Sequence, residues 1–383
     1  MPDYDVLIAG GGPVGTALAL ALRDSGLDVA VVEARLPEPA PMDPRPIALS
    51  HGSRLILERL GVWDELAPVT PIARIHVSQR GGFGRVELDA EEARLPALGY
   101  VLDYARLART LAGGLGAGFC DSLTGATVTG LAPEPARVRV QFERGAGPEY
   151  AAARLVAVAD GGTLTAGAQT RIRDYRQAAV TARVTSRTPH RNVAYERFTP
   201  TGPLALLPDG EKLAVIWTTT LEHAQELCTL PDTEFLQRLE HAFGGRLGGV
   251  AAVGTRTRFP LALKVSSRIV VPRVTALGNA AQTLHPVAGQ GLNLGLRDAW
   301  ELADLVRDCS REEVGGPALL RAYAARRRLD RRGGVWFTDT LVQLFSNDLE
   351  PLRLARGLGL TLLGAVPAAR NFVVRRMTFG TRG

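Results

Sequence analysis

Two glycine-paced stretches hold the residues of this chain whose types and spacing could do chemistry. Near the amino terminus Gly10-x-Gly12-x-x-Gly15 follows the apolar run Val6 to Ala9, opens a helical pattern, and leads to a second strand ending at Glu33. In that context the spacing predicts dinucleotide binding. Gly10 makes the tight turn, Gly12 lets backbone approach a pyrophosphate, Gly15 lets helix and strand pack closely, and Glu33 can accept hydrogen bonds from a ribose. The second stretch is Leu277 to Asp298, LGNAAQTLHPVAGQGLNLGLRD. Pro286 restricts its backbone, Gly289 and Gly291 permit positive φ or close approach of a ligand, and Asn293 suits the edge of such a turn. Leu292, Leu296, Ala299, Ala303 and Val306 then recur at helical spacing. The N–H groups around Gly289 to Asn293 therefore open a helix N-terminus, which favours an anion. Read by itself, such a run is equally a loop that caps a core helix.

With Ala159-Asp160-Gly161 between them, these motifs resemble the FAD-dependent aromatic hydroxylases of the para-hydroxybenzoate hydroxylase type. Most of that superfamily has Gly-Asp where this chain has Gly278-Asn279. The variant Asn-Ala-Ala-Gln-Thr-Leu-His-Pro, with Glu196-Arg197-Phe198 and the run Gly202 to Pro208, is similar to the ubiquinone-biosynthesis branch. The resemblance covers nearly the whole chain. It implies an α/β fold: a Rossmann-like FAD-binding domain from residues 1–75, 98–179 and 272–332, an inserted β-sheet substrate domain from 76–97 and 180–271, and a C-terminal helical tail over 333–383. It implies FAD as cofactor, NAD(P)H or a carrier as reductant, and hydroxylation of a 2-polyprenyl-6-methoxyphenol to the 1,4-benzoquinol. An anionic reduced flavin matches the positive helix end at Gly289 to Asn293.

The same resemblance carries residue roles. Arg45, in a proline-rich loop, takes the place of an arginine that lies against the flavin; without the family it reads as a surface arginine. Asp160 and Gly161 would lie near the flavin, although an Asp-Gly pair is also an ordinary turn. Asn279 falls within the flavin loop. Tyr104 stands where many relatives have an arginine facing the FAD pyrophosphate, which leaves Arg106 and Arg109 to serve. Relatives follow the Asp-Gly pair with a serine and an arginine, whereas this chain has no arginine until Arg171, so the docking of the nicotinamide is open. There is no second GxGxxG. His285, within the flavin loop, is the acid–base candidate against a plain packing role, and no general base stands out.

Composition bounds the rest. At 383 residues, 46% hydrophobic and 22% charged, the chain suits a two-domain globular enzyme. Its net charge of +6 comes from arginine, since Lys212 and Lys264 are the only lysines. The one basic stripe, Arg321 to Arg332, has no recognition motif beside it and reads as a solvated helix face rather than a nucleic-acid surface. Cys120, Cys228 and Cys309 are far apart and the six histidines are scattered, which predicts neither a disulfide framework nor a metal site. A cytoplasmic protein is expected, held peripherally at the inner face of the membrane if the tail makes it so. That tail, from Val335 on, is apolar, aromatic and basic, with Trp336, Thr340, Leu341 and Leu344 on one helical face. It suits core packing, a membrane surface or a partner in a quinone-biosynthesis complex. A helix is expected from Tyr100 to Leu115. A non-hydroxylating flavin reductase of prenyl chains and a flavin-bearing scaffold are the other functional readings.

Overall fold

In a computed structural model, which describes residues 3–36, 45–116, 118–145, 147–162, 169–345 and 349–380, two large sheets face each other across one cavity. The first is built from continuous apolar runs, as a parallel sheet buried on both faces requires. Asp3–Ala9 lies between Gly147–Val158 and Val29–Glu33, parallel to both, and Val29–Glu33 pairs in parallel with Cys120–Thr124. On the far side Val274–Ala276 runs parallel to Gly147–Val158. A hairpin of Ala126–Pro133 and Val138–Arg144 completes this sheet. The helices Pro13–Ala21, Tyr104–Gly114 and Gln290–Arg307 cover it, and Leu18, Leu107, Leu302 and Tyr323 are buried in the shared core. The apolar run at Tyr100 is a strand, Gly99–Asp103, paired with Pro46–Ser50, and the helix begins only at Tyr104. A short apolar run fits either period, and here the partner strand decides it.

The second sheet has nine strands and contains Thr257–Ser266, Thr170–Ser186, Lys212–Thr220, Gly202–Asp209 and Val193–Thr199 in spatial order. The hairpin Arg74–Gln79 and Arg85–Asp89 joins its edge, with Val77 beside Glu196 in parallel register. Thr170–Ser186 is one 17-residue strand, so the sheet begins before the boundary expected at residue 180. Its outer face, with Leu204, Leu206, Val215 and Trp217, packs on the helices Leu221–Thr229 and Asp232–Phe243. The first of these helices was not expected; its sequence signal is Thr220, whose side chain accepts the His223 N–H as an N-cap. The inner face looks into the cavity.

The helix Pro317–Phe345 runs unbroken through the boundary expected after Arg332. Its last turns, with Glu350–Ala365 and Pro367–Phe379, form the third wall of the cavity. Phe345 stacks on Phe198 with ring centroids 3.9 Å apart. Trp336 is exposed, whereas Leu341 and Leu344 pack toward the cavity, so the expected shared face is split between solvent and cavity. Nor is the basic stripe wholly solvated, because Arg327 is buried at 2% exposure.

Candidate active site

The carboxyl ends of four neighbouring parallel strands place Gly10, Glu33, Asp160 and Asn279 around one opening, the location at which open α/β sheets bind ligands. Each glycine of the first turn has a separate reason. Gly10 has φ +112°, and a Cβ there would lie 2.5 Å from the Ala159 carbonyl oxygen. A Cβ on Gly15 would lie 1.9 Å from the Gly10 carbonyl oxygen, so that glycine serves packing. At Gly12 a Cβ would meet nothing within 4 Å and would project toward the cavity that Gly12 lines. That open approach is what a pyrophosphate needs. Glu33 accepts the Gly11 N–H at 2.7 Å through Oε2 and the Arg35 N–H at 3.0 Å through Oε1. Asp160 accepts the Gly162 N–H at 2.9 Å, which shapes the turn in which Gly161 has φ +87°.

The second glycine-paced stretch closes the cavity from the side. Gly289, at φ +60°, is the N-cap of Gln290–Arg307 and no side chain caps that end, which turns a helix N-terminus toward the cavity lined by Gly291 and Leu292. Asn279, Pro286, Gly289 and Gly291 all line the cavity, and a Cβ on Gly291 would meet nothing within 4 Å. Asn293, by contrast, is buried away from the lining. Its Oδ1 accepts from the Ser50 N–H (2.8 Å) and the Ser53 hydroxyl (2.7 Å), while its Nδ2 donates to the Ala48 (3.0 Å) and Gly289 (2.7 Å) carbonyls. It therefore holds the loop rather than touching a ligand. Asp298 does the same from the other side, accepting from the Gly278 N–H and the Gln282 amide at 3.0 Å each. Its other oxygen takes the Arg327 guanidinium at 2.6 Å, and Arg327 pairs onward with Asp330 at 2.9 Å. This buried chain of charges ties the loop to the long helix.

Arg45 and Tyr104 line the cavity together, with the guanidinium 5.4 Å from the Tyr104 ring and 5.3 Å from that of Phe259 on the facing sheet. Arg106 is not part of that lining; it donates to the Leu66 and Pro68 carbonyls at 3.3 and 2.8 Å, so the place facing the cavity belongs to Tyr104. His285 is 1% exposed, accepts the Val287 N–H through Nδ1 at 3.1 Å, and packs edge-on to Tyr175. Burial pushes it down to about 4, so it is neutral and internal, not a proton relay on the cavity. Of the run after Asp160-Gly161, Thr163 to Ala168 lie outside the described residues.

The cavity measures about 1170 Å³, larger than the ~300–1,000 Å³ typical of a single small-ligand site. Beyond the glycine turns it becomes a chamber walled by Ile75, Val77, Ala205, Leu207, Ile216 and Leu360. Glu196 faces it too, and burial pushes its carboxyl up to about 7. The signal in the sequence was there: Ala194, Glu196 and Phe198 share one parity of a strand whose inward face is otherwise apolar.

Two sheets, strand ends that admit a dinucleotide, and a helix N-terminus opening on an apolar chamber form the kind of site an FAD-dependent monooxygenase needs. The open positions at Gly12 and Gly291 fit the cofactor. Residues 3–333 match the FAD binding domain family. The chain is 37% identical to ubiquinone hydroxylase UbiL of Rhodospirillum rubrum, over 97% of this chain and 89% of that one. It is 31% identical to 3-demethoxyubiquinol 3-hydroxylase of Escherichia coli, over 93% of each. Its fold is also that of p-nitrophenol 4-monooxygenase PnpA from Pseudomonas putida, with a TM-score of 0.76 at 17% identity over the full length of both. The chain belongs to the ubiquinone-biosynthesis FAD hydroxylases.

Proposed function

We propose that the protein hydroxylates the ring of a polyprenylated phenol, 2-polyprenyl-6-methoxyphenol, to the 1,4-benzoquinol, with NAD(P)H or a carrier as reductant. The observation that carries this is the continuity of the cavity, which runs from the glycine turns into an apolar chamber with a mouth along Glu350–Ala365. Ala355 and Gly359 of that helix are exposed and also line the cavity. An isoprenoid chain can therefore lie along Leu360, Leu363 and Val373 while its ring reaches the flavin loop. FAD, when bound, supplies activated oxygen to an electron-rich ring. The protein's residues place the ring, exclude water through the tail wall, and hold the loop backbone rigid through Asn293 and Asp298.

The outer side of the same helix supports peripheral membrane contact in a cytoplasmic protein. Leu354, Leu358 and Leu362, at helical spacing, are 55%, 56% and 64% exposed, and Phe372 on the next helix is 68% exposed. No single helix among the described residues is long and apolar enough to cross a membrane. We place this stripe against a lipid surface, or a partner enzyme of a quinone-biosynthesis complex, so that the mouth receives substrate directly.

The test supplies FAD-loaded protein with NADH or NADPH, O2 and a short-chain 2-geranyl-6-methoxyphenol, and measures quinol by mass spectrometry. A second reading, hydroxylation of a demethoxyquinol ring, is favoured by the relative of that name at 31% identity. Turnover of the demethoxyquinol but not of the methoxyphenol would establish it. Reductant consumed with neither ring hydroxylated would point to the non-hydroxylating class.

A further inference from the structure

We propose that Glu196 takes the proton from the phenol hydroxyl of the substrate in the chamber, an assignment that rests on reading the site as a phenol hydroxylase. The strand Val193–Thr199 presents Ala194, Glu196 and Phe198 inward. Val287, from the flavin loop, belongs to the same hydrophobic cluster as Ala194 and Phe198, which flank Glu196 on the strand, and Glu196 and Val287 line the same cavity. In the proposed pose the reacting carbon of the ring is toward the loop and its hydroxyl lies within the chamber.

The neighbours of Glu196 leave its charge to a ligand. Val77 flanks it from the hairpin strand and Ala205 from Gly202–Asp209. Among the described residues it has no hydrogen-bond or ion-pair partner. The tail contributes one charged residue to the lining, Arg356, whose guanidinium donates to the Leu344 carbonyl at 2.7 Å and lies over the Phe345 ring. The charged groups of the neighbouring positions, His76, Arg197 and Arg246, interact on the opposite face of the sheet, beside the helix Asp232–Phe243. Glu196 is half-buried and lines the chamber.

Because burial among apolar walls holds the carboxyl at about 7, it is partly ionised near neutral pH, where a general base works best. In the step itself the phenol O–H bond breaks and a carboxyl O–H bond forms. Only a proton moves, and the electron pair left on oxygen enriches the ring for oxygen transfer. The proton returns to water when product leaves. An unpaired carboxylate in an apolar chamber also discriminates, since a ring without a hydroxyl leaves it unsatisfied.

The test compares wild type with Glu196→Gln, both FAD-loaded. The first measurement is ionisation of bound 2-geranyl-6-methoxyphenol, followed by phenolate absorbance against pH without reductant. The second is hydroxylation of that phenol and of a ring-fluorinated counterpart whose hydroxyl is more acidic. Glu196→Gln is expected to keep its FAD, to lose phenolate formation near pH 7, and to hydroxylate ~100- to 1,000-fold more slowly. Its rate on the fluorinated phenol should recover by at least tenfold relative to the parent, which a merely structural loss would not produce. Equal phenolate formation and equal pH profiles in the two proteins would overturn the assignment. If wild type ionises the bound phenol but hydroxylates neither compound, the functional reading fails while the absorbance result still decides Glu196.

Discussion

At the scale of single residues, the glycines divide into those that serve the fold and those that serve the ligand. A Cβ on Gly15 would lie 1.9 Å from the Gly10 carbonyl oxygen, whereas one on Gly12 would face open cavity. Gly12→Val should therefore fold and purify colourless, while Gly15→Val should fail to fold; a yellow Gly12→Val with full flavin content would contradict the nucleotide site. Gly291→Ala puts a methyl group into the cavity at the start of a helix, where alanine is intrinsically preferred. Its melting temperature should hold or rise. Hydroxylation should fall on the order of 100-fold, because a ~1 Å displacement of reacting atoms costs about that much. His285 yields a pH prediction. Its pKa is about 4 in the folded protein against ~6.5 in the unfolded chain, so the unfolded state binds the proton first. Stability is then intact above about pH 6.5 and declines as pH falls toward 4. His285→Asn, which keeps an acceptor for the Val287 N–H, should flatten that decline in denaturant titrations.

At the scale of elements, the helix Gln290–Arg307 is fixed at both flanks, by Asn293 to Ser50 and Ser53 and by Asp298 to Arg327. Both members of the second pair are about 2% exposed. Removing one member of a buried pair leaves an uncompensated charge and costs ~3–5 kcal/mol. Asp298→Ala should thus lower the unfolding free energy by about that amount and release flavin before global unfolding, as seen by following flavin fluorescence and far-UV signal together. The tail helices carry one face in the cavity wall and one exposed apolar face. Leu360 and Val374 are buried in the chamber wall, and a Cβ on Gly52 would strike the Thr378 carbonyl oxygen. Leu354→Ser, Leu358→Ser and Leu362→Ser together change only the outer face, and should weaken binding to anionic vesicles at least tenfold while leaving the melting temperature within a degree or two. Unchanged vesicle binding would assign that face to a protein partner or to nothing.

At the scale of the whole molecule, the cavity belongs to no single domain. The first sheet supplies the nucleotide half, the second sheet the chamber wall, and the tail the remaining side, so ligand binding and folding are linked across the boundaries. A cofactor that binds only the folded chain stabilises it by RT ln(1 + [L]/Kd), ~2.7 kcal/mol at a hundredfold excess over Kd. FAD should therefore raise the melting temperature of the whole chain in one transition. Truncation after Phe345 removes the tail wall and should lower that temperature and open the chamber to water. A truncated protein with wild-type stability and turnover would show that the tail is not structural.

Much of this was legible in the chain because it depends on neighbours in sequence. A turn, a close backbone approach and a helix start are decided over a few residues, so GxGxxG, Glu33 and the run from Pro286 to Gly291 mark strand ends and a helix N-terminus wherever the chain goes. Alternation also announced the inserted sheet, and the resemblance supplied the cofactor. What sequence could not decide is which of two equivalent faces a side chain meets, since that depends on partners hundreds of residues away. Asn293 belongs to the ligand loop by position, yet its amide is taken by Ala48, Ser50 and Ser53. Arg327 belongs to a basic stripe, yet Asp298 and Asp330 draw it inside. Glu196 is one acid in a strand until the hairpin strand, Gly202–Asp209 and the tail enclose the cavity it lines, and burial there pushes its carboxyl up.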